Sequence, residues 1–271
     1  MKLTVSTLGS PAWTLEDTAA KARAYGFDGV DLRLLDGEVI TVDSIRANAD
    51  RIRDLFPAGV FPVTSLGTSI RIAVADPAAI TAIDTELRAW VTVAAELGIG
   101  LIRVFGGKRP EGLDAEQSVT AAAATLERIA PDASRAGVIV GLETHDDFSS
   151  AALVARVLAK IPHPAIGAIW DLHHTYRMGE TAAQVIHLFG DRLLNVHVKD
   201  AVRKGTGDSW QLVPLGEGEI PVEESLVLLA NAGYPGDISI EWEKKWHPEL
   251  DDPEIAFPQH IAVMRTYLNG I

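Results

Sequence analysis

Four side chains that can bind a metal stand at or near the ends of four apolar runs in the second half of the sequence. They are Glu143 in VGLETH, Asp171 in AIWDLHH, His197 in LNVHVKD and Glu241 in ISIEWE. Taken singly, such an acid is more often a helix cap, and such a histidine a core residue. Spaced by about one strand–helix unit each, apart from an insertion (RKGTGDSWQLVPLGEGE) before the last, they predict one metal site. Three carboxylates and an imidazole favour one divalent ion, Mn²⁺ first, with Mg²⁺, Co²⁺ or Zn²⁺ also able to bind.

Eight aliphatic runs alternate with amphipathic stretches along the chain. The runs occupy residues 2–9, 29–35, 60–66, 100–107, 137–145, 165–174, 193–201 and 237–245. Most of them lack clean polar alternation, which is typical of strands buried on both faces. The clearer helical patterns cover residues 15–26, 77–98, 115–137, 181–190 and 222–233. This alternation predicts an α/β fold, a (β/α)8 TIM barrel, with residues 1–271 as a single domain. A doubly wound sheet is the alternative, but the first turn, TLGSPAW, is not the G-x-G-x-x-G of its dinucleotide-binding form.

Composition narrows the range of possible functions and partners. The 271 residues are 47% hydrophobic, enough for a large core, and the net charge of −13 disfavours a nucleic-acid partner. The absence of cysteine excludes disulfides, thiol nucleophiles and cysteine-bound zinc. No apolar run is long enough for a membrane span, and the first residues lack a secretory core, so we expect a cytoplasmic protein with no membrane partner.

The motifs GLETH, WDLHH, NVHVKD, PLGEGEI and ISIEWE, together with YGFDGVDLR near the N-terminus, carry a family resemblance that covers the whole chain. They resemble the sugar phosphate isomerase/epimerase superfamily, the xylose isomerase-like TIM barrels. Ketose 3-epimerases, hydroxypyruvate isomerases and inosose isomerases and dehydratases belong to this group. The resemblance implies that Glu143, Asp171, His197 and Glu241 are the metal ligands. It also implies that His174 and Arg203 contact substrate.

The resemblance implies a metal-dependent isomerase or epimerase of a ketose, an aldose or a polyol-derived ketone. The reaction would pass through an enediolate, with Glu143 and Glu241 as acid and base on opposite sides of the substrate. A dehydratase of the inosose or dehydroshikimate type is an alternative, because the same intermediate can lose a hydroxyl group. A barrel that binds a sugar without turning it over is another. An AP endonuclease is disfavoured, because SLGTS, VFGG and the segment after His197 lack the extra histidines of that branch. We expect an unphosphorylated small-molecule substrate, and a homo-oligomer stays open.

Further residues have two interpretations each. His145, two residues after Glu143, would meet substrate or support a ligand. Arg103, near the end of the fourth run, would face substrate or pair with a carboxylate. Trp13, in the first loop, would form a wall for the sugar or pack in the core. His173 would point away from the site if the strand continued past Asp171.

Overall fold

The computed structural model describes residues 1–207 and 209–271. Its strands are β1 (Leu3–Ser6), β2 (Gly29–Leu32), β3 (Leu34–Leu35), β4 (Glu38–Val39), β5 (Val63–Arg71), β6 (Leu101–Phe105), β7 (Ile139–Glu143), β8 (Ile166–Asp171), β9 (Leu193–Val198), β10 (Asp200–Lys204), β11 (Ser209–Val213) and β12 (Asp237–Ile240). Its α-helices are α1 (Leu15–Tyr25), α2 (Val42–Ala47), α3 (Ala49–Leu55), α4 (Pro77–Leu97), α5 (Ala115–Ala136), α6 (Ala151–Ala159), α7 (Leu172–Arg177), α8 (Ala182–Phe189), α9 (Val222–Asn231) and α10 (Pro253–Asn269).

Eight parallel strands close into a barrel in the order β1-β12-β9-β8-β7-β6-β5-β2. Each of them lies at the position of one predicted run, and helices surround them, so the prediction of a single-domain TIM barrel is confirmed. The strands pack against one continuous core that reaches from Leu3 to Met264. None of the helices in the described part of the chain is both long and apolar enough to cross a membrane.

The helix boundaries follow from capping chemistry. Thr14 caps α1 through a reciprocal pair of hydrogen bonds with Asp17, and Gly26 ends it in the left-handed conformation, with a φ of 91°. Asp171 is both the last residue of β8 and the cap of α7, since its side chain accepts a hydrogen bond from the His174 backbone N–H. The cap interpretation of this acid is therefore correct, although it uses only one of the two carboxylate oxygens.

Two antiparallel hairpins extend the barrel beyond its eight strands. β3 pairs with β4 after the second barrel strand, and β10 pairs with β11 within the insertion that follows the seventh. The insertion thus continues as a hairpin beside the carboxyl ends of β8 and β9. We refer to the opening at the carboxyl ends of the barrel strands as the mouth.

Candidate metal centre

The four predicted metal ligands come together at the mouth. Glu143 ends β7, Asp171 ends β8, His197 lies in β9, and Glu241 directly follows β12. Each offers a ligand atom, and these atoms all lie within 4.8 Å of one another. All four residues are buried. Strand register explains the convergence, because Asp171 and His197 are direct neighbours across the β8–β9 pair.

The His197 imidazole is held from both sides. Its Nδ1 lies 3.0 Å from Glu143 Oε1 and 3.8 Å from Glu241 Oε1. Its Nε2 lies 3.3 Å from Oδ2 of Asp31, which is in β2. Burial lowers the pKa of His197, but Glu143 and Asp31 outweigh it and raise the pKa well above its usual value. Asp31 was not among the predicted site residues, although an acid inside the apolar run GVDLRLL was a signal for it.

Glu143 has a guanidinium counter-ion. Arg103 Nη1 donates to Glu143 Oε2 at 2.6 Å, and both side chains are almost fully buried. Burial raises the pKa of Glu143, yet the charges of Arg103 and His197 outweigh it and hold the pKa well below its usual value. The structure therefore places Arg103 on a predicted ligand, in line with the interpretation of this arginine as a partner of a carboxylate.

Glu241 and Asp171 share an ammonium. Lys199 Nζ lies 2.6 Å from Glu241 Oε2, 2.8 Å from Asp171 Oδ2 and 2.6 Å from Glu243 Oε1. Burial raises the pKa of Glu241, but Lys199 and His197 lower it to about 2. Burial also raises the pKa of Asp171, to about 6, where Glu241 and Glu143 add to the increase and Lys199 opposes it.

The donor set fits a divalent cation. Three buried carboxylates and one imidazole nitrogen face a common point, which is a hard, oxygen-rich environment. The second imidazole nitrogen of His197 is held by Asp31, an arrangement typical of metal-binding histidines, because the carboxylate fixes the orientation of the ring. The residues that would hold the ion are Glu143, Asp171, His197 and Glu241.

Three further histidines flank this cluster. His174 Nε2 lies 3.8 Å from Asp171 Oδ2, and the ring packs edge-on against His145 at a centroid distance of 4.6 Å. Neither ring nitrogen of His174 has a hydrogen-bond partner within residues 1–207 and 209–271. Burial and the charge of Lys199 hold the pKa of His174 well below its usual value. His174 is therefore a neutral group that can exchange hydrogen bonds with a ligand.

The expected direction of His173 was wrong. His173 and His174 both line a cavity of about 630 Å³ beside the cluster, together with Glu243, His247 and Trp210. The strand ends at Asp171 and α7 begins at Leu172, so the two-residue alternation of a strand does not apply to His173. His173 contacts the Trp210 ring of the β10–β11 hairpin at a centroid distance of 5.3 Å.

Two predicted substrate contacts lie away from the cluster. Arg203 is an exposed residue of β10 whose guanidinium packs on the Trp210 ring at 4.8 Å. Trp13 is buried between α1 and α10, where its indole packs edge-on against Phe257 and donates to Glu254 at 2.8 Å. The structure thus gives Trp13 the packing role that was its alternative interpretation, because α10 closes over the first loop.

Comparisons with known proteins agree with the fold. The family model described as xylose isomerase-like TIM barrel matches residues 19–267. A Streptomyces coelicolor protein that carries the provisional name hydroxypyruvate isomerase is 28% identical over 173 residues, which are 58% of this chain and 59% of that relative.

Solved structures share the fold over nearly their whole length. One titled as the IOLI protein with a binding zinc atom has a TM-score of 0.86 at 16% identity, with coverage of 100% of this chain and 99% of the other. One titled as a D-tagatose 3-epimerase-like protein has a TM-score of 0.78 at 21% identity, with coverage of 99% and 97%.

Proposed function

This chain belongs to the xylose isomerase-like TIM barrel family, and we propose that it is a divalent-metal-dependent isomerase or epimerase. Its substrate would be a small hydroxy-ketone or hydroxy-aldehyde, such as a sugar or a polyol-derived ketone. The observation that carries the proposal is the approach of Glu143 and Glu241 to the same nitrogen of His197 from different strands of the barrel. Two carboxylates close to one point can divide proton removal and proton return between them.

The chain's own residues would carry out the proton transfers. One glutamate accepts the proton from the carbon that bears the hydroxyl group, and the other delivers a proton to the former carbonyl carbon or to the opposite face of the same carbon. In an isomerisation the hydroxyl proton moves to the former carbonyl oxygen, so atoms and electrons balance. A bound divalent ion would supply stabilisation of the negative charge that develops on the substrate oxygens.

The neighbouring side chains would orient the reacting groups. Arg103 fixes Glu143 through Oε2, and Lys199 fixes Glu241 through Oε2, so each carboxylate keeps its other oxygen toward the common point. His174, neutral and with both ring nitrogens available, would hold a substrate hydroxyl. Preorganised hydrogen bonds of this kind lower a barrier because no reorientation is needed during the reaction.

Proton exchange with solvent tests the proposal directly. The protein would be incubated in D₂O with Mn²⁺ and a panel of ketoses, aldoses and inososes. Hydroxypyruvate would be included in the panel because the Streptomyces relative is named for it. We expect deuterium at the carbon next to the carbonyl, seen by NMR, and loss of this exchange after EDTA treatment until Mn²⁺ is restored. A product lighter by one water would identify a dehydratase. Absence of exchange across the panel would falsify the proposal and favour a binding barrel.

A further inference from the structure

We propose that Arg33 and Arg103 form a binding site for a carboxylate next to the reacting carbonyl, so that the substrate is a short 2-keto acid. This inference rests on the proposed function, because it places the carboxylate by its distance from Glu143. It adds a binding residue, Arg33, to which neither the sequence motifs nor the family match assigns a role.

The two arginines converge over a glycine. Arg33 directly follows β2, Arg103 lies in β6, and Gly67 lies in β5, the strand between them. A Cβ atom at Gly67 would stand 3.0 Å from Arg103 Nη2 and 3.2 Å from Arg33 Cδ. Gly67 does not have a positive φ, so the backbone does not require a glycine here. The missing side chain instead leaves room for both arginine side chains.

Arg33 has no carboxylate partner among residues 1–207 and 209–271. Its Nη1 donates to the Gly67 carbonyl and to Ser69 Oγ, both at 2.9 Å. In the part of the chain that the structure describes, no carboxylate oxygen lies within 4.0 Å of its guanidinium nitrogens. Burial, and then the charge of Arg103, lowers the pKa of Arg33 to about 10. Two neighbouring cations that repel each other form a place where an anion would relieve the repulsion.

Arg103 also has unused hydrogen-bonding capacity. Its Nη1 is taken by Glu143, but its buried Nε has no hydrogen-bond partner within residues 1–207 and 209–271. A buried donor without a partner is unfavourable by about 1–3 kcal/mol, unless a ligand or a water fills the position. A planar carboxylate matches the fork of a guanidinium.

The position of the pair distinguishes a carboxylate from a phosphate. Phosphate sites in barrels are usually built from the loops after the seventh and eighth strands, whereas this pair lies beside the second and fourth. Arg103 is in direct contact with Glu143, one of the proposed acid/base groups, so its ligand must be bonded close to the reacting carbon. A carboxylate on the carbonyl carbon meets this requirement. This carboxylate would keep its covalent bonds and its charge throughout the isomerisation.

A matched pair of substrates tests the inference. Hydroxypyruvate and 1,3-dihydroxyacetone differ only by a carboxylate in place of a hydroxymethyl group. With Mn²⁺ present, we expect kcat/KM for hydroxypyruvate to exceed that for dihydroxyacetone about 100-fold. Arg33→Met should reduce this ratio at least about tenfold. The control Arg71→Met removes the same charge from an exposed arginine whose partner is Asp146, and should change the ratio less than about threefold.

Binding supplies a readout that does not depend on turnover. D-Glycerate and glycerol form the same matched pair but cannot react in this way. We expect calorimetry to detect glycerate and not glycerol, and Arg33→Met, but not Arg71→Met, to weaken glycerate about tenfold or more. Equal effects of the two variants on glycerate binding would overturn the carboxylate site. Equal binding of glycerate and glycerol would do the same. If deuterium exchange fails on every substrate while Arg33 still governs glycerate binding, the proposed function is wrong and the anion site stands.

Discussion

The two glutamates at the mouth approach the same imidazole nitrogen, yet their other oxygens are held in different ways. Arg103 forms an ion pair with Glu143 alone, since no second carboxylate lies within 4.0 Å of it among the residues described. Lys199 is shared by Glu241, Asp171 and Glu243. We refer to Arg33, Arg103 and Glu143 as the arginine side, and to Lys199, Glu241, Asp171 and Glu243 as the lysine side.

The difference concerns where negative charge remains. The arginine side has two guanidinium groups and one carboxylate, which only Arg103 contacts, whereas on the lysine side one ammonium contacts three carboxylates. Asp171 accordingly keeps a pKa of about 6, raised by burial and by its neighbouring carboxylates. The lysine side thus gains most from a divalent cation, and the arginine side from an anionic substrate. One small molecule with a carboxylate at one end and two oxygens for the metal at the other would satisfy both.

The largest expected effect is the loss of either glutamate. Glu143→Gln and Glu241→Gln should each reduce kcat/KM at least about 10³-fold with the fold intact, because each removes an acid/base group. Circular dichroism and steady-state kinetics with Mn²⁺ would measure the two effects. Glu254→Gln, which changes a carboxylate of α10 whose partners are Trp13 and Lys21, is the control. Retained activity in either mouth variant excludes that glutamate from the proton transfers.

Removal of the shared ammonium should reveal the charge imbalance. Lys199→Met leaves three carboxylates without their common partner, so the metal-free protein should lose about 3–5 kcal/mol of unfolding free energy. Mn²⁺ should then stabilise this variant more than the wild type, because the ion restores a cation beside Asp171 and Glu241. Urea unfolding with and without Mn²⁺ measures both quantities.

The matched control is Lys160→Met. Lys160 pairs with Glu116 at the surface, so its replacement should alter neither the stability nor the response to metal appreciably. If Mn²⁺ stabilised Lys199→Met and the wild type equally, the lysine side would not be the part of the site that needs the ion.

Beside the lysine side lies a buried histidine, His260, whose charge changes in acid. Trp242, next to Glu241, packs edge-on against His260 of α10 at a centroid distance of 4.9 Å. Burial lowers the pKa of His260 to about 3 from an ordinary value of 6.5. The folded state therefore binds fewer protons than the unfolded state between these pH values, and stability falls as the pH drops through that range.

His260→Leu should remove this dependence while keeping the position buried. Relative to the variant, the wild type should lose about 3 kcal/mol of unfolding free energy between pH 7 and pH 4.5, at about 1.4 kcal/mol per pH unit below 6.5. Urea midpoints measured across this range give the difference. Parallel curves for the two proteins would show that His260 finds a partner for its proton.

Asp31 tests how His197 is oriented. Asp31→Asn removes the charge 3.3 Å from Nε2 of His197, so the imidazole is held less firmly with Nδ1 toward the two glutamates. We expect Mn²⁺ affinity, measured by calorimetry, to fall about 10- to 100-fold. Asp28→Asn is the control, since Asp28 precedes the same strand at its amino end and accepts a hydrogen bond from the Leu3 backbone. An unchanged affinity in Asp31→Asn would assign Asp31 to folding alone.

The sequence predicted the barrel and the four clustered residues because both depend on local patterns. Each barrel strand lies in a mostly apolar run, and each clustered residue stands at or next to a strand end, so chain topology brings them together. Lys199 lies in the motif NVHVKD, but no sequence pattern shows that one ammonium will reach three carboxylates. The packing of Trp13 depends on α10, which is distant in sequence.

Arg33, and its approach to Arg103 over Gly67, were missed for a related reason. Arg33 is one of two polar residues in the run GVDLRLL, and Gly67 is one of 23 glycines. Their proximity depends on barrel closure and on the stagger between β2, β5 and β6. The pairing of β5 with β6 shifts in register after Gly67, and such a shift changes the direction of the strand. No spacing along the chain encodes that stagger.

Gly67 offers the mildest way to test the arginine side. A methyl group at this position would come within 3.0–3.2 Å of both arginines and push them apart by a few tenths of an ångström. Gly67→Ala should therefore raise the KM for a 2-keto acid about 3- to 10-fold and lower kcat less, because the bound carboxylate shifts while the glutamates stay in place. Steady-state kinetics on hydroxypyruvate with Mn²⁺ would measure this.

Gly100→Ala is the matched control for that variant. Gly100 directly precedes β6, has no positive φ, and has no atom within 4 Å of an added Cβ. Both substitutions reduce the freedom of the unfolded chain to a similar extent, so both proteins should unfold at similar or slightly higher urea concentrations than the wild type. A difference in KM between them would then come from the arginines alone. If instead the two variants bound hydroxypyruvate equally well, the space over Gly67 would have no part in substrate binding, and the lysine side would have to account for the specificity without it.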